Sequence, residues 1–197
     1  MMGRGGVMGV AVALSVLVAG CAEPELAGFV REPTPVTADV GLPDVSQGGT
    51  PFDFVADPGE LLLVYFGFTS CPDVCPTTLA DTRTALSRIG DDAERVSFAM
   101  ATVDPGRDTD QVITGYVQSF LPEAHALRTD DDAALRAAVT PFGADYEVSV
   151  DDSGDIEVIH TGALYAVDDQ GRLLVTWPFG ISVEDLSNDL ELLLGSL

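Results

Sequence analysis

The chain has 197 residues, 9 Lys+Arg against 32 Asp+Glu, a formal net charge of -23 and 46% hydrophobic residues. That length suits one ordinary domain and is cramped for two. All nine basic residues are arginines, so no basic face is available to neutralise phosphates or hold an anionic membrane, which argues against nucleic-acid binding. The acidic residues are interspersed with long apolar runs, the mark of a folded domain rather than a disordered chain.

Arg4 and the amino terminus precede Val7–Ala19, thirteen mostly apolar positions, against roughly 20 needed to span a bilayer. Residues 1–20 therefore read as an export signal. It ends Leu17-Val18-Ala19-Gly20-Cys21, which resembles the lipobox of bacterial lipoproteins. That resemblance implies lipidation of Cys21 and attachment to the outer face of the cytoplasmic membrane. Residues 21–38 carry Pro24, Pro33 and Pro35 without apolar periodicity and read as a flexible spacer. The domain is expected over 39–197.

Leu61–Phe66 is a continuous apolar run, the pattern of a strand buried on both faces of a sheet. Thr78-Leu79-Ala80-Asp81 has capping-box spacing, and Leu79, Leu86 and Ile89 share a helical face. Val96–Val103 is a second buried strand, with Met100 as core packing rather than a thioether ligand. Asp108 and Gln111 are placed to cap a helix carrying Val112, Ile113, Tyr116, Val117, Phe120 and Leu121, with Arg107 as the ion-pair partner of Asp108. Asp130-Asp131-Asp132 opens a helix with Leu135, Ala138, Val139 and Phe142, and favours its positive end. Tyr146–Val150 and Ile156–His160 suggest an irregular hairpin, and Ala163–Val167 and Leu173–Trp177 a clearer one. Ser182 and Asp185 open a last helix. Strand-helix-strand-helix, then hairpin, then helix describes an α/β domain, a mixed sheet with helices on both faces in thioredoxin-like order.

Cys71 and Cys75 are the only cysteines after Cys21. Outside the cytoplasm such a pair is a disulfide, a redox couple or a metal site. The pair lies where a strand runs into a helix, and the helix N-terminus is expected to favour both thiolates. Three intervening residues, not the two of thioredoxins, are compatible with a disulfide and with a bidentate grip on a soft ion. Closing so short a loop contributes little stability, which counts against a purely structural bond. The mature chain has two histidines. His125, in Glu123-Ala124-His125-Ala126-Leu127, reads as a surface or strand-edge residue, whereas His160 ends a strand and leads through Thr161-Gly162 into a buried one.

Three blocks in order, Tyr65–Thr78 with Cys-Pro-Asp-Val-Cys-Pro, Val103-Asp104-Pro105-Gly106-Arg107-Asp108-Thr109, and His160-Thr161 before an apolar strand, resemble the Sco/SenC family of copper-binding proteins involved in cytochrome c oxidase assembly. The resemblance covers about Val40 to Leu197. It implies a thioredoxin fold and copper, Cu(I) or Cu(II), held by Cys71, Cys75 and His160, a donor set suited to both states. Family members often have an acidic residue just before the histidine, where this chain has Ile159. A carboxylate tuning the ligands must then come from elsewhere, with Asp104 and Asp73 as candidates.

The resemblance implies a copper metallochaperone serving the binuclear copper site of oxidase subunit II, fed by an extracytoplasmic copper donor. Its alternative is a thiol-disulfide reductase that keeps that subunit's cysteines reduced and draws on a thiol reductant. A peroxiredoxin-like peroxidase, prompted by Val74-Cys75-Pro76-Thr77, lacks its expected Thr and Pro, since Pro72 and Phe68 occupy those places.

Overall fold

The computed structural model describes residues 25–197; the signal and Cys21 lie outside the described residues. In chain order the elements are β1 (Gly41–Asp44), β2 (Thr50–Asp53), β3 (Leu61–Gly67), α1 (Val74–Arg88), β4 (Val96–Thr102), α2 (Asp110–Phe120), β5 (His125–Leu127), α3 (Asp132–Val139), β6 (Tyr146–Val150), β7 (Ile156–His160), β8 (Ala163–Val167), β9 (Leu173–Pro178) and α4 (Val183–Leu194). Among these helices none is long and apolar enough to cross a membrane.

Seven strands form one mixed sheet in the order β2-β1-β5-β4-β3-β8-β9, and β6 pairs with β7 alone. The parallel neighbours β3, β4 and β5 make the centre, flanked by antiparallel pairs on either side. All seven residues of β3 are buried, which explains an apolar run without alternation. Its neighbouring side chains point to opposite faces. Phe66 packs edge-on against Phe142 and Tyr165 on one face, while Tyr65 on the other reaches Cys75 of α1. Helix α1 in turn packs on α4 and α2. The architecture is thioredoxin-like, as the element order predicts.

The helix starts differ from expectation in two places. Helix α1 begins at Val74, one turn before the Thr78 box; Pro76 fits there because a first-turn N–H has no partner within the helix. Thr78 instead returns its hydroxyl to the Val74 carbonyl at 2.9 Å. Helix α2 is capped by Thr109, whose hydroxyl accepts from the Val112 N–H at 3.3 Å, not by Asp108. Asp131 and Ser182 cap α3 and α4 as expected.

The stretch from 25 to 38, expected as a flexible spacer, forms no helix or extended strand but is fastened along β9. Phe29 bridges Thr176 and Val36 bridges Arg172, both antiparallel. Buried Asp189 of α4 accepts the N–H groups of Ala27 and Gly28, both at 2.9 Å, and the indole N–H of Trp177 at 2.7 Å. Thr37 is fully buried and donates to the Phe54 carbonyl at 2.6 Å. Backbone pairing and two buried polar anchors hold this segment where apolar periodicity is absent.

Candidate metal centre

Strand β3 ends at Gly67, and the chain crosses Phe68–Asp73 before α1 begins. A Cβ at position 67 would stand 2.6 Å from the Tyr65 ring, 3.0 Å from the Cys75 sulfur and 3.2 Å from the Met100 methyl group. Glycine is therefore what lets the strand, the tyrosine and the cysteine converge. The crossing loop is bolted to the sheet by Asp108, which is fully buried. Its carboxylate accepts the Thr69 N–H at 3.0 Å, the Thr69 hydroxyl at 2.5 Å and the Thr102 hydroxyl at 2.6 Å.

That scaffold brings Cys71 and Cys75 to the N-terminus of α1, while β7 delivers His160 from the far side. The two sulfurs and a His160 ring nitrogen all lie within 4.8 Å of one another. Cys75 Sγ is 3.6 Å from His160 Nε2, and the cysteines are not joined in a disulfide. The Cys75 N–H, in the first turn of the helix, donates to Cys71 Sγ at 3.3 Å. The Tyr65 hydroxyl donates to Cys75 Sγ at 3.4 Å.

The histidine is oriented by its other nitrogen. Nδ1 lies 3.2 Å from the Thr161 carbonyl, so the proton belongs on Nδ1 and the Nε2 lone pair faces the sulfurs. Edge-on rings of Phe68 at 5.6 Å and Tyr65 at 6.1 Å fix the plane of the imidazole. Burial holds the His160 pKa below the ordinary value, so it is neutral at pH 7. Burial also pushes the Cys75 thiol up to about 12, against the hydrogen bond from Tyr65. The expected thiolate-favouring effect of the helix end is thus overridden at Cys75, which is fully buried, whereas Cys71 is only partly so. The trio opens onto a groove lined by Phe68, Val74, Val158, Ile159 and Phe179.

Neither the Asp104 nor the Asp73 carboxylate is hydrogen-bonded to the trio. Asp104 is buried and paired with Arg107, which corrects the expected Arg107–Asp108 pair. The Arg107 guanidinium lies 5.8 Å from the centre of the Phe68 ring, the same ring that abuts His160. Asp73 is exposed and occupies the α1 cap position without a side-chain bond to the helix. His125 is elsewhere, on β5, with Nδ1 2.7 Å from the Asp44 carboxylate. Two residues that shape the centre escape sequence reasoning. Tyr65 looks like one more apolar position in a buried run, and Asp108 like a helix cap; the hint is a pair of threonines, Thr102 at the end of β4 and Thr69 two residues beyond the end of β3.

The family described as SCO1/SenC matches residues 44–195. A SCO2-like protein of Rickettsia prowazekii is 30% identical over 144 residues, covering 72% of this chain and 70% of the relative. The copper-bound structure of Bradyrhizobium japonicum ScoI superposes with a TM-score of 0.65 at 30% identity, over 77% of this chain and 95% of that one. The apo Sco1 protein of Thermus thermophilus reaches 0.73 at 30% identity, over 86% and 97%.

Proposed function

The chain belongs to the SCO1/SenC family, and on that premise we propose that it is a copper metallochaperone whose cargo is held by Cys71, Cys75 and His160. The observation that carries this reading is the convergence of two thiols and one imidazole within 4.8 Å. Two thiolates suit Cu(I), and the added imidazole accommodates Cu(II). Uptake must expel the Cys75 proton, because burial keeps that thiol protonated at neutral pH. Neutral His160 needs no deprotonation at Nε2 and offers its lone pair directly.

Handover by ligand exchange requires a reachable site. Partly exposed Cys71 and an apolar rim that includes Ile159, 69% exposed, and Phe179, 45% exposed, supply one. The acceptor in this reading is the binuclear copper site of cytochrome c oxidase subunit II, the donor an extracytoplasmic copper carrier. The lipobox-like stretch supports a lipid on Cys21 and residence on the outer face of the cytoplasmic membrane. Mass spectrometry of the membrane-extracted protein tests that anchor, and an unmodified Cys21 would remove it.

The full chain, purified in detergent and reduced, should bind one copper, lost on Cys71→Ala or Cys75→Ala and weakened on His160→Ala. A reductase reading also has an observation in its favour. The two free sulfurs differ in access, Cys71 being the one an incoming disulfide can reach. A thiol reductant would then recycle the pair. His160→Ala separates the two roles: a reductase keeps its activity without the imidazole, and copper delivery does not. Intact copper binding and oxidase assembly in His160→Ala would sink the metallochaperone reading with this ligand set.

A further inference from the structure

We propose that Tyr65 is a positioning residue for copper that acts through Cys75, its hydroxyl donating to the ligand sulfur and biasing the loaded site toward Cu(I). This deepens the copper reading above and rests on it. Tyr65 is fully buried in β3. Its oxygen lies 3.4 Å from Cys75 Sγ, and its ring meets the His160 ring edge-on, with centroids 6.1 Å apart. One residue thus touches two of the three donors. Gly67 confirms how closely the ring is held, since even a methyl group there would come within 2.6 Å of it.

Phenylalanine would fill the same space, so packing does not explain the hydroxyl. A hydroxyl buried without a partner costs about 1–3 kcal/mol, and this one is directed at sulfur. A donor on a thiolate takes up part of the electron density the sulfur would give to a metal. Cu(II) depends on that donation more than Cu(I) does, so hydrogen bonds to ligand sulfurs favour the reduced ion. The same bond stabilises the sulfur once its proton has left.

The test compares the full chain with Tyr65→Phe, each titrated with Cu(I) and with Cu(II) against competing chelators. The ratio of Cu(I) to Cu(II) affinity should fall about tenfold, the equivalent of one charge-assisted hydrogen bond. The sulfur-to-Cu(II) charge-transfer band should move to lower energy, a signature that a packing role would leave in place. Should Tyr65→Phe fold poorly, replacement of the tyrosines by 3-fluorotyrosine supplies a stronger donor of nearly the same size, and the ratio should then rise. Copper binding with an unchanged ratio and band overturns the role of Tyr65 alone. A wild-type chain that binds no copper overturns the metal reading itself, and this inference with it.

Discussion

Cys75 and His160 stand 3.6 Å apart but are held by parts of the molecule that differ in kind. Cys75 belongs to a platform of β3, α1 and the Asp108-bolted loop, all of it continuous with the core. His160 ends a ribbon of two strands outside the main sheet, whose Val148, Val150, Ile156 and Ile159 side chains are exposed. Val158 midway along β7 packs against the core, and the ribbon is tied at its base, the end that carries His160. There Tyr146 donates to Asp132 at 2.5 Å, Arg136 lies 4.6 Å from the centre of the Tyr146 ring, and the Thr161 N–H donates to the Asp145 carbonyl at 3.0 Å. An isolated two-stranded ribbon is marginally stable at best. Cys75 is therefore set directly by the core, whereas His160 depends on the contacts at the base of a two-stranded ribbon, where it pairs with buried Tyr146.

The largest effect that tests this contrast is on copper itself. Cys75→Ala should weaken Cu(I) binding by more than about a hundredfold, beyond the range for residues behind the ligands. His160→Ala should cost Cu(I) about tenfold but lose most Cu(II) affinity, since the two thiolates still satisfy the softer ion. Competition with a chromophoric chelator measures both, and equal Cu(I) losses would erase the distinction between platform and ribbon. Next, Asp108→Ala removes the acceptor of three hydrogen bonds and should destabilise the metal-free domain by about 3 kcal/mol in chemical denaturation. An effect under about 1 kcal/mol would show that the loop does not depend on its bolt.

A pH dependence follows from the buried thiol. The folded thiol keeps its proton up to about 12, whereas the unfolded thiol ionises near its ordinary value of 9.0. Between these the folded state binds more protons, so stability of the reduced, metal-free chain should fall by up to about 1.4 kcal/mol per pH unit as pH rises. That loss is absent below the unfolded value. Cys75→Ala should flatten the curve between pH 9 and 10, and denaturation midpoints that remain parallel to wild type would contradict the assignment. The smallest effect belongs to the ribbon: Tyr146→Phe should cost about 1 kcal/mol, read as faster amide exchange in β6 and β7 with β3 unchanged.

These predictions draw on residues that were unequally visible in the sequence. The buried strands β3 and β4, the amphipathic helices and the β8–β9 hairpin announce themselves through apolar pattern, because burial of whole faces decides their form. Strands β1, β2 and β5 do not. They are three or four residues long, contain Gly41, Pro43 and Pro51, and exist through pairing with distant partners. The candidate ligands Cys71, Cys75 and His160 are legible from residue type, order and family resemblance. Their tuning is not. The opposed effects of burial and helix end at Cys75, the partners of Asp108, and the aim of the Tyr65 hydroxyl all depend on contacts between residues far apart in the chain.

The segment fastened along β9 also sets a direction. It runs antiparallel to β9, so that Ala27 and Gly28 sit beside Trp177 and Asp189 near the strand's end. Pro178 and Phe179, just beyond, line the groove at the cysteine–histidine trio. The first described residues thus lie at the edge that carries the cysteine–histidine trio. With the proposed lipid on Cys21, six residues reach at most about 20 Å. The protein would hang over the bilayer on a short leash with its open groove at the tethered end, able to serve acceptors that hold their own metal sites close to the membrane surface and out of reach of those far above it.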